Sequence, residues 1–433
     1  MPAKAKNSFF IKHFGFSGVK VIKKIEIFPN FEGDMENLTE QFIRDNLTAD
    51  VRTLALSAHP AGVDMQYALT QISGWQAARL KVPLWAATEG IVYPRHLSLE
   101  QCTSQYIAQY KATAVEQLLG KNLKMADITG GFGVDCFFIS RSASKVYYNE
   151  MSAELCDCAR INFKALGRQE IEINCGTAED YIAGLTPDSL DLIYLDPARR
   201  GDAGRKLISI SDCQPDAVAL QDDLLRIAPN VMVKLSPMLD VSRALTELKH
   251  VSHVFIIGLE GECKEITLLL QRGFDTETTI TAVDIKSDGT PESAVSSAKS
   301  VDAALPMPIA DAALLQPGTY ISEPSAPYMK SSLFRTIAAQ TGTALLHPDT
   351  HLFWSKEKPE EFPGRTFQLE RIIPFDKRSL SALAKTQANL SVRNFPESAP
   401  ALQRRLKLRD GGPRYLIATT LSDNKKIILD LRR

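Results

Sequence analysis

The chain has 433 residues, 44% of them apolar, with 50 basic against 51 acidic side chains and a net charge of -1. That length exceeds one ordinary core and predicts two to four domains at roughly 100–200 residues each. The composition excludes disordered and fibrous classes, and no apolar run reaches the ~18–20 residues of a membrane helix.

Along the chain, Met1 to Lys24 is basic and carries Phe9, Phe10 and Phe14. It lacks the unbroken apolar stretch of a signal peptide, so the expected compartment is the cytoplasm. The next ~100 residues have helical spacing at Leu54, Leu56, Leu69, Ile72 and Leu80, punctuated by Pro60, Pro83 and Pro94. Ser98 is placed to start a helix with Glu100 and Gln101 in its first turn, running through Tyr106 and Tyr110 to Leu119 and stopped by Gly120. Strands are then predicted at 125–128, 145–148, 171–174, 192–195 and 231–235, with a closing pair at 253–258 and 264–270. Amphipathic helices lie between them, for example Ser152 to Leu166. This alternation predicts a mainly parallel sheet covered by helices on both faces. Residues 286–304, rich in Ser, Ala, Gly, Asp and Pro, read as a loop or linker. Residues 320–354 suggest a small α/β unit, Pro363-Gly364 a turn, and the stretches near 367–373 and 414–419 two further strands with basic helices between. The last 71 residues, from Pro363, hold fifteen basic and six acidic side chains. A basic end on a neutral protein points to a polyanionic partner.

Seven scattered cysteines read as free thiols. The Cys156-x-Cys158 spacing does not suit zinc, and Pro348 separates His347 from His351, so no metal is expected. Trp75, Trp85 and Trp354 are expected to pack.

The loop Asp127-Ile128-Thr129-Gly130-Gly131-Phe132-Gly133-Val134-Asp135 sits between a strand and a helix. Its glycines allow a tight turn and close approach of a ligand. An acidic residue in that turn suits a cationic amino-acid ligand and repels a pyrophosphate. The spacing is also not that of G-x-G-x-x-G. Glu150 ends the second strand, where an acidic group can accept from ribose hydroxyls. Gly176-Thr177-Ala178-Glu179 forms a polar turn after the third strand. The fourth strand ends in Asp196-Pro197-Ala198-Arg199-Arg200-Gly201, at the crevice where open α/β sheets bind ligands.

With these motifs the chain resembles the class I S-adenosylmethionine-dependent methyltransferases, and among them a bacterial family with a THUMP-like C-terminal domain. The resemblance rests on the Asp127–Asp135 loop and the Asp196–Arg199 turn. It also rests on Glu100-Gln101-Cys102-Thr103-Ser104, Tyr110-Lys111-Ala112, Arg393-Asn394-Phe395-Pro396 and Asp410-Gly411-Gly412. It covers the chain from about residue 50 onward. It implies an α/β chain with four parts: a mainly helical region over 1–120, a Rossmann-like cofactor domain over 121–275, a small ferredoxin-like α/β domain with linker over 276–362, and a THUMP-like basic RNA-binding domain over 363–433. The implied cofactor residues are Asp127, Thr129, Gly130, Gly131, Phe132, Gly133, Asp135, Glu150, Met151, Thr177, Ala178 and Asp196. The helix with Ser104, Gln105 and Tyr110 is the candidate to close over the cofactor.

Asp196, Pro197 and Arg199 are the candidate catalytic residues. Related RNA enzymes that methylate uridine C5 use a cysteine just before a proline after the fifth strand; here Lys234-Leu235-Ser236-Pro237 has none. Those that methylate exocyclic amines carry an aromatic residue where Arg199 stands. Methylation of a base nitrogen in structured ribosomal or transfer RNA is the reading favoured. Arg393, Arg404, Arg405, Lys407, Arg409 and Arg414 are the candidate RNA contacts. A non-catalytic RNA-binding protein, a methyltransferase acting on protein or a small molecule, and an NAD-dependent oxidoreductase remain as alternatives.

Overall fold

The computed structural model describes residues 38–94, 100–199 and 209–433. The basic arm with its phenylalanines, Ser98, Arg200 and Gly201 lie outside the described residues. The described chain divides into two compact units, one of residues 38–252 and 267–275, the other of 253–266 and 276–433.

The first unit opens with α1 (Leu38–Asn46), α2 (Val51–Leu56), α3 (Met65–Lys81), α4 (Pro83–Ala86) and α5 (Gln105–Leu119). Asp50 and Asp64 cap α2 and α3 by accepting from the amides of Thr53 and Tyr67. Met65, Ala68 and Ile72, at i, i+3 and i+7, give α3 its buried face. Gly120 ends α5 as expected. The helix expected from Ser98 to Leu119 is interrupted: Ser98 lies outside the described residues, Glu100 and Gln101 are helical, and the helix breaks at Cys102–Ser104 before α5 begins at Gln105. Ser104 is extended as the N-cap of α5, and Thr103 turns inward to bond Asp135.

The alternating elements follow in order: β1 (Lys124–Asp127), α6 (Val134–Ile139), β2 (Lys145–Glu150), α7 (Ala153–Ala165), β3 (Glu172–Cys175), α8 (Ala178–Ala183) and β4 (Leu192–Leu195). Two short strands, β5 (Ala198–Arg199) and β6 (Cys213–Gln214), precede α9 (Ala217–Ile227), β7 (Asn230–Leu235) and α10 (Val241–Glu247). Parallel pairing gives the order β3-β2-β1-β4-β7. The order reverses at β1 and β4, which leaves a crevice at their carboxyl ends. Trp85, Phe138, Tyr148, Phe163 and Tyr194 are almost wholly buried in the core beneath it.

A hairpin of β8 (Val251–Leu259) and β9 (Glu262–Gln271) carries the chain between the units. In the second unit β8 pairs in parallel with β10 (Thr279–Ile285), and β11 (Val295–Ala298) pairs antiparallel with β10. Helix α11 (Lys299–Ala304) follows. The linker expected over 286–304 is therefore largely a strand and a helix. Its composition concealed this: Val295 is the one large buried side chain of β11, and Ser296 bonds Thr281 across the pair.

The rest comprises β12 (Tyr320–Pro324), α12 (Ala326–Ser331), α13 (Phe334–Thr341), β13 (Ala344–Leu345), β14 (Phe353–Ser355), β15 (Gly364–Pro374), α14 (Lys377–Ser381), β16 (Asn389–Arg393), α15 (Ala399–Leu406), β17 (Arg414–Thr420) and β18 (Lys426–Arg432). Their strands form one sheet, β13-β14-β12-β15-β18-β17-β16. Alternation along β18 sends Leu429 and Leu431 to one core cluster and Ile428 to the other. Gly364 opens β15 rather than sitting in a free turn, and β15 pairs with β12 across the boundary placed at 362/363. Four steps of ~4.8 Å separate β12 from β16 in a flat sheet, roughly 19 Å. Yet Arg393 of β16 reaches Glu323 of β12, so the sheet curls strongly.

Candidate cofactor site and acceptor turn

The carboxyl ends of β1 to β4 surround a cavity of about 260 Å³. Asp127, Thr129, Gly130, Gly131, Phe132, Gly133, Asp135, Glu150, Met151, Thr177, Ala178 and Asp196, the residues singled out in the sequence, all line it. The turn after β1 is shaped by its neighbours. A Cβ on Gly130 would stand 2.1–2.5 Å from ring atoms of Tyr148. The Tyr148 hydroxyl donates to the Gly131 carbonyl at 2.6 Å, and the Gly130 amide donates to the Asn149 carbonyl at 2.8 Å. Gly133 has φ +86, and a Cβ there would meet Phe163 at 2.8 Å. Asn149 then ties two loops together: its side-chain amide donates to the carbonyls of Ile128 and Gly176.

Three of the carboxylates that line the cavity sit in different surroundings. Asp127 is 1% exposed and accepts only the Thr129 amide among its described bonds. Burial pushes its carboxyl well above the usual range, against the pull of that amide. Glu150 is fixed by accepting from the Gly131 and Ser152 amides, both at 2.9 Å, so its remaining lone pairs point in set directions. Asp135 lies in a buried network. Lys111, itself 1% exposed, approaches its Oδ1 at 2.7 Å, and the hydroxyls of Thr103 and Tyr194 donate to its Oδ2. Burial alone would raise this carboxyl; the ammonium groups of Lys111 and Lys234 and the bonds from Lys111 and Thr103 outweigh it and hold the group low.

The acceptor turn follows β4. The Asp196 amide donates to the Thr129 hydroxyl at 2.6 Å, which locks it to the first loop. Its Oδ2 is 2.5 Å from the ammonium of Lys234 on β7. Ala198 lines the cavity and Pro197 does not. The backbone of Arg199 lies in β5.

Sequence reasoning missed several neighbours. Gln101, Cys102 and Thr103 line the cavity, rather than Ser104, Gln105 and Tyr110, and so do Gln214 and Pro215. Burial pushes the Cys102 thiol up to about 11, so it stays neutral. Lys234 had a legible signal: a charged side chain at the carboxyl end of the apolar run Val231-Met232-Val233.

The six candidate RNA contacts separate. Arg414 and Arg371 share the fully buried carboxylate of Asp430. Arg393 pairs with Glu323, and Arg405 pairs with Glu397 and lies over Phe375. Arg404, Lys407 and Arg409 are exposed at the end of α15 and just beyond.

Two family models match the second unit: a ferredoxin-like domain over residues 320–363 and a THUMP domain-like family over 364–433. Two Mycobacterium tuberculosis proteins, each named an uncharacterized S-adenosylmethionine-dependent methyltransferase, are 26% identical to the chain over 330 residues, 75% of this chain and 83% of theirs. An uncharacterized RNA methyltransferase of Clostridium acetobutylicum is 29% identical over 127 residues, 27% of this chain and 28% of its own. A crystal structure of a candidate methyltransferase from Porphyromonas gingivalis W83 is 30% identical, with a TM-score of 0.76, covering 92% of this chain and 98% of its own.

Proposed function

This chain belongs to the class I S-adenosylmethionine-dependent methyltransferases with a THUMP-like C-terminal domain, and from that premise we propose that it methylates a base nitrogen in structured ribosomal or transfer RNA. The observation that carries the proposal is Asp196. It stands on the cavity wall at the end of β4, locked to Thr129 and held by Lys234.

The cavity's own chemistry fits the cofactor. Bound S-adenosylmethionine supplies a methyl group on a positively charged sulfur. The buried Asp127 carboxyl has acceptor capacity for its ammonium group. Glu150, already oriented by two amides, can accept from ribose hydroxyls. Thr177 and Ala178, which line the cavity after β3, would lie beside the adenine. On the acceptor side, Lys234 fixes one oxygen of Asp196, and the other is left to accept an N–H from the incoming base. That bond turns the nitrogen lone pair toward the methyl group, so the gain is one of orientation. Transfer leaves a proton on the nitrogen, and Asp196 is placed to accept it.

RNA as the substrate class draws support from three features: the THUMP-like match, the named activity of the Clostridium relative, and the exposed Arg404, Lys407 and Arg409. The Asp196–Lys234 pair also favours a second reading, a ribose hydroxyl acceptor, because a hydroxyl must lose its proton and the Asp196 carboxylate, held in place by Lys234, could take it.

The test incubates the protein with methyl-labelled cofactor and separated RNA fractions from cells lacking the gene, beside Asp196→Ala. We expect label in one RNA species, recovered on the base after digestion to nucleosides, and a loss on the order of 10²–10³-fold in kcat for the variant with cofactor binding kept. Label on the ribose would select the second reading. Label in no RNA despite cofactor binding would remove RNA as the substrate.

A further inference from the structure

Two cysteines that the reaction above does not use stand together beside the cofactor cavity. Cys156 lies one turn into α7 and is fully buried; Cys175 ends β3 and is exposed. Both are free thiols.

The fold brings them together. Ile173 packs against the core cluster that contains Cys156 and Phe163 of α7. Side chains alternate along a strand, so Cys175, two residues on, points to that same face. Parallel pairing sets Cys175 opposite Glu150. The Cys156 Sγ sits 3.2 Å from the Glu150 carbonyl oxygen and 3.7 Å from that of Asn174, one peptide unit from Cys175. The two thiols are in hydrogen-bond contact, and burial together with that contact pushes the Cys156 thiol up to about 12.

We propose that Cys156 and Cys175 form an oxidation site: a peroxide joins them in a disulfide, and the joined form binds S-adenosylmethionine more weakly. Their unequal exposure sets the order of events. Peroxide meets the exposed partner first. The Cys175 sulfur attacks one peroxide oxygen and the O–O bond breaks, giving Cys175–SOH and water. The Cys156 sulfur then displaces the hydroxyl from Cys175. Its own proton leaves with that hydroxyl as a second water, and an S–S bond remains. The two thiols lose two electrons, and the peroxide gains them.

The effect on the cavity is one of position. A disulfide holds its sulfurs about 2.05 Å apart, well inside hydrogen-bond contact, so the end of β3 is drawn toward α7. Oxidised Cys156 also has no proton for the Glu150 and Asn174 carbonyls. Gly176, Thr177 and Ala178 follow Cys175 directly and line the cavity, as does Glu150. The Gly176 amide donates to the same Glu150 carbonyl at 3.0 Å, so both loops move with the pair. Neither Cys156 nor Cys175 lines the cavity itself. The loss of affinity rests on the cofactor reading of the cavity; the joining of the thiols does not.

The test treats the full chain with hydrogen peroxide and maps its cysteine peptides by mass spectrometry without reductant. S-adenosylhomocysteine binding is measured calorimetrically before oxidation, after it, and after dithiothreitol. Cys175→Ser is run alongside. We expect one joined peptide pair, Cys156 with Cys175, and an affinity lower by about tenfold, the size of one lost hydrogen bond. Dithiothreitol should restore it. Cys175→Ser should bind S-adenosylhomocysteine as the unsubstituted chain does and keep that affinity through peroxide. Absence of the Cys156–Cys175 pair overturns the proposal, and so does the pair formed with affinity unchanged. The same loss in Cys175→Ser also overturns it, by tracing the effect to another thiol such as Cys102 in the cavity wall. A reduced chain that binds no S-adenosylhomocysteine would instead sink the cofactor reading of the cavity, and the peptide map would still decide whether the thiols join.

Discussion

Replacing Lys111 by methionine preserves the length of a side chain that is 1% exposed but removes the ammonium 2.7 Å from Asp135 Oδ1. Breaking a buried ion pair from one side typically costs about 3–5 kcal/mol, because the partner charge is stranded. Asp135 here keeps two hydroxyl donors, Thr103 at 2.5 Å and Tyr194 at 2.9 Å. Each such bond to a charged acceptor contributes about 1.5–3 kcal/mol, so the loss belongs at the lower end, about 3 kcal/mol. Adding Asp135→Asn removes the stranded charge and keeps an oxygen for the same hydroxyls. The double variant should therefore recover about 2 kcal/mol relative to Lys111→Met alone. Urea unfolding followed by tryptophan fluorescence reads this, since Trp75 and Trp85 both lie in the first unit. Thr103 lines the cavity and donates to Asp135, so S-adenosylhomocysteine affinity should fall in Lys111→Met as well. Equal or greater instability of the double variant would falsify the argument that a stranded charge is what makes the single change costly.

Gly130→Ala should destabilise by about 1–3 kcal/mol and weaken S-adenosylhomocysteine binding, because the new methyl must displace the Tyr148 ring; melting temperatures with and without ligand test both effects. Asp127 holds its proton to higher pH than an ordinary carboxyl, and only its ionised form pairs with an ammonium group. Cofactor affinity should therefore rise with pH above the usual carboxylate range, and Asp127→Asn should flatten that rise in calorimetric titrations. Neutralising Arg404, Lys407 and Arg409 together should reduce the slope of log affinity against log salt for RNA by about 2–3, with folding unchanged. Arg414→Met should instead destabilise the second unit, since it strips a cation from the fully buried Asp430. Burial raises the Asp430 carboxyl, and the bonds from Arg414 and Arg371 more than reverse that, so it sits low. Its contribution to stability is thus present above the unfolded carboxylate value of about 4 and lost as pH falls through its lower folded value. Acid titration of the unfolding midpoint checks that sign.

The cavity wall was legible in the sequence because its requirements are local. Glycines in a turn after an apolar strand, an acidic residue ending the next strand, and an Asp-Pro ending the fourth are each visible in a few residues. What escaped is long-range. Thr103 and Lys111 stand in motifs of one predicted helix, and neither has an assigned role until Asp135 is brought to them. Lys234 meets Asp196 only because β7 lies beside β4. β11 carries one large apolar side chain, so its membership of a sheet could not be read from periodicity. For the basic end, a count could not single out the exposed charges. Charge totals record how many arginines are present, not which ones neutralise Asp430, Glu323 and Glu397.

The curl of the seven-stranded sheet bears on how this protein can evolve. The two recognisable sequence modules meet at 363/364, a natural seam for gene fusion or loss. The physical seam is elsewhere. Glu323, in the first module, is buried under Arg365 and Arg393, both in the second. A lineage that discarded or exchanged one module alone would inherit a bare sheet edge and an unneutralised carboxylate. The pair is one heritable unit, and its recombination points should lie outside residues 320–433.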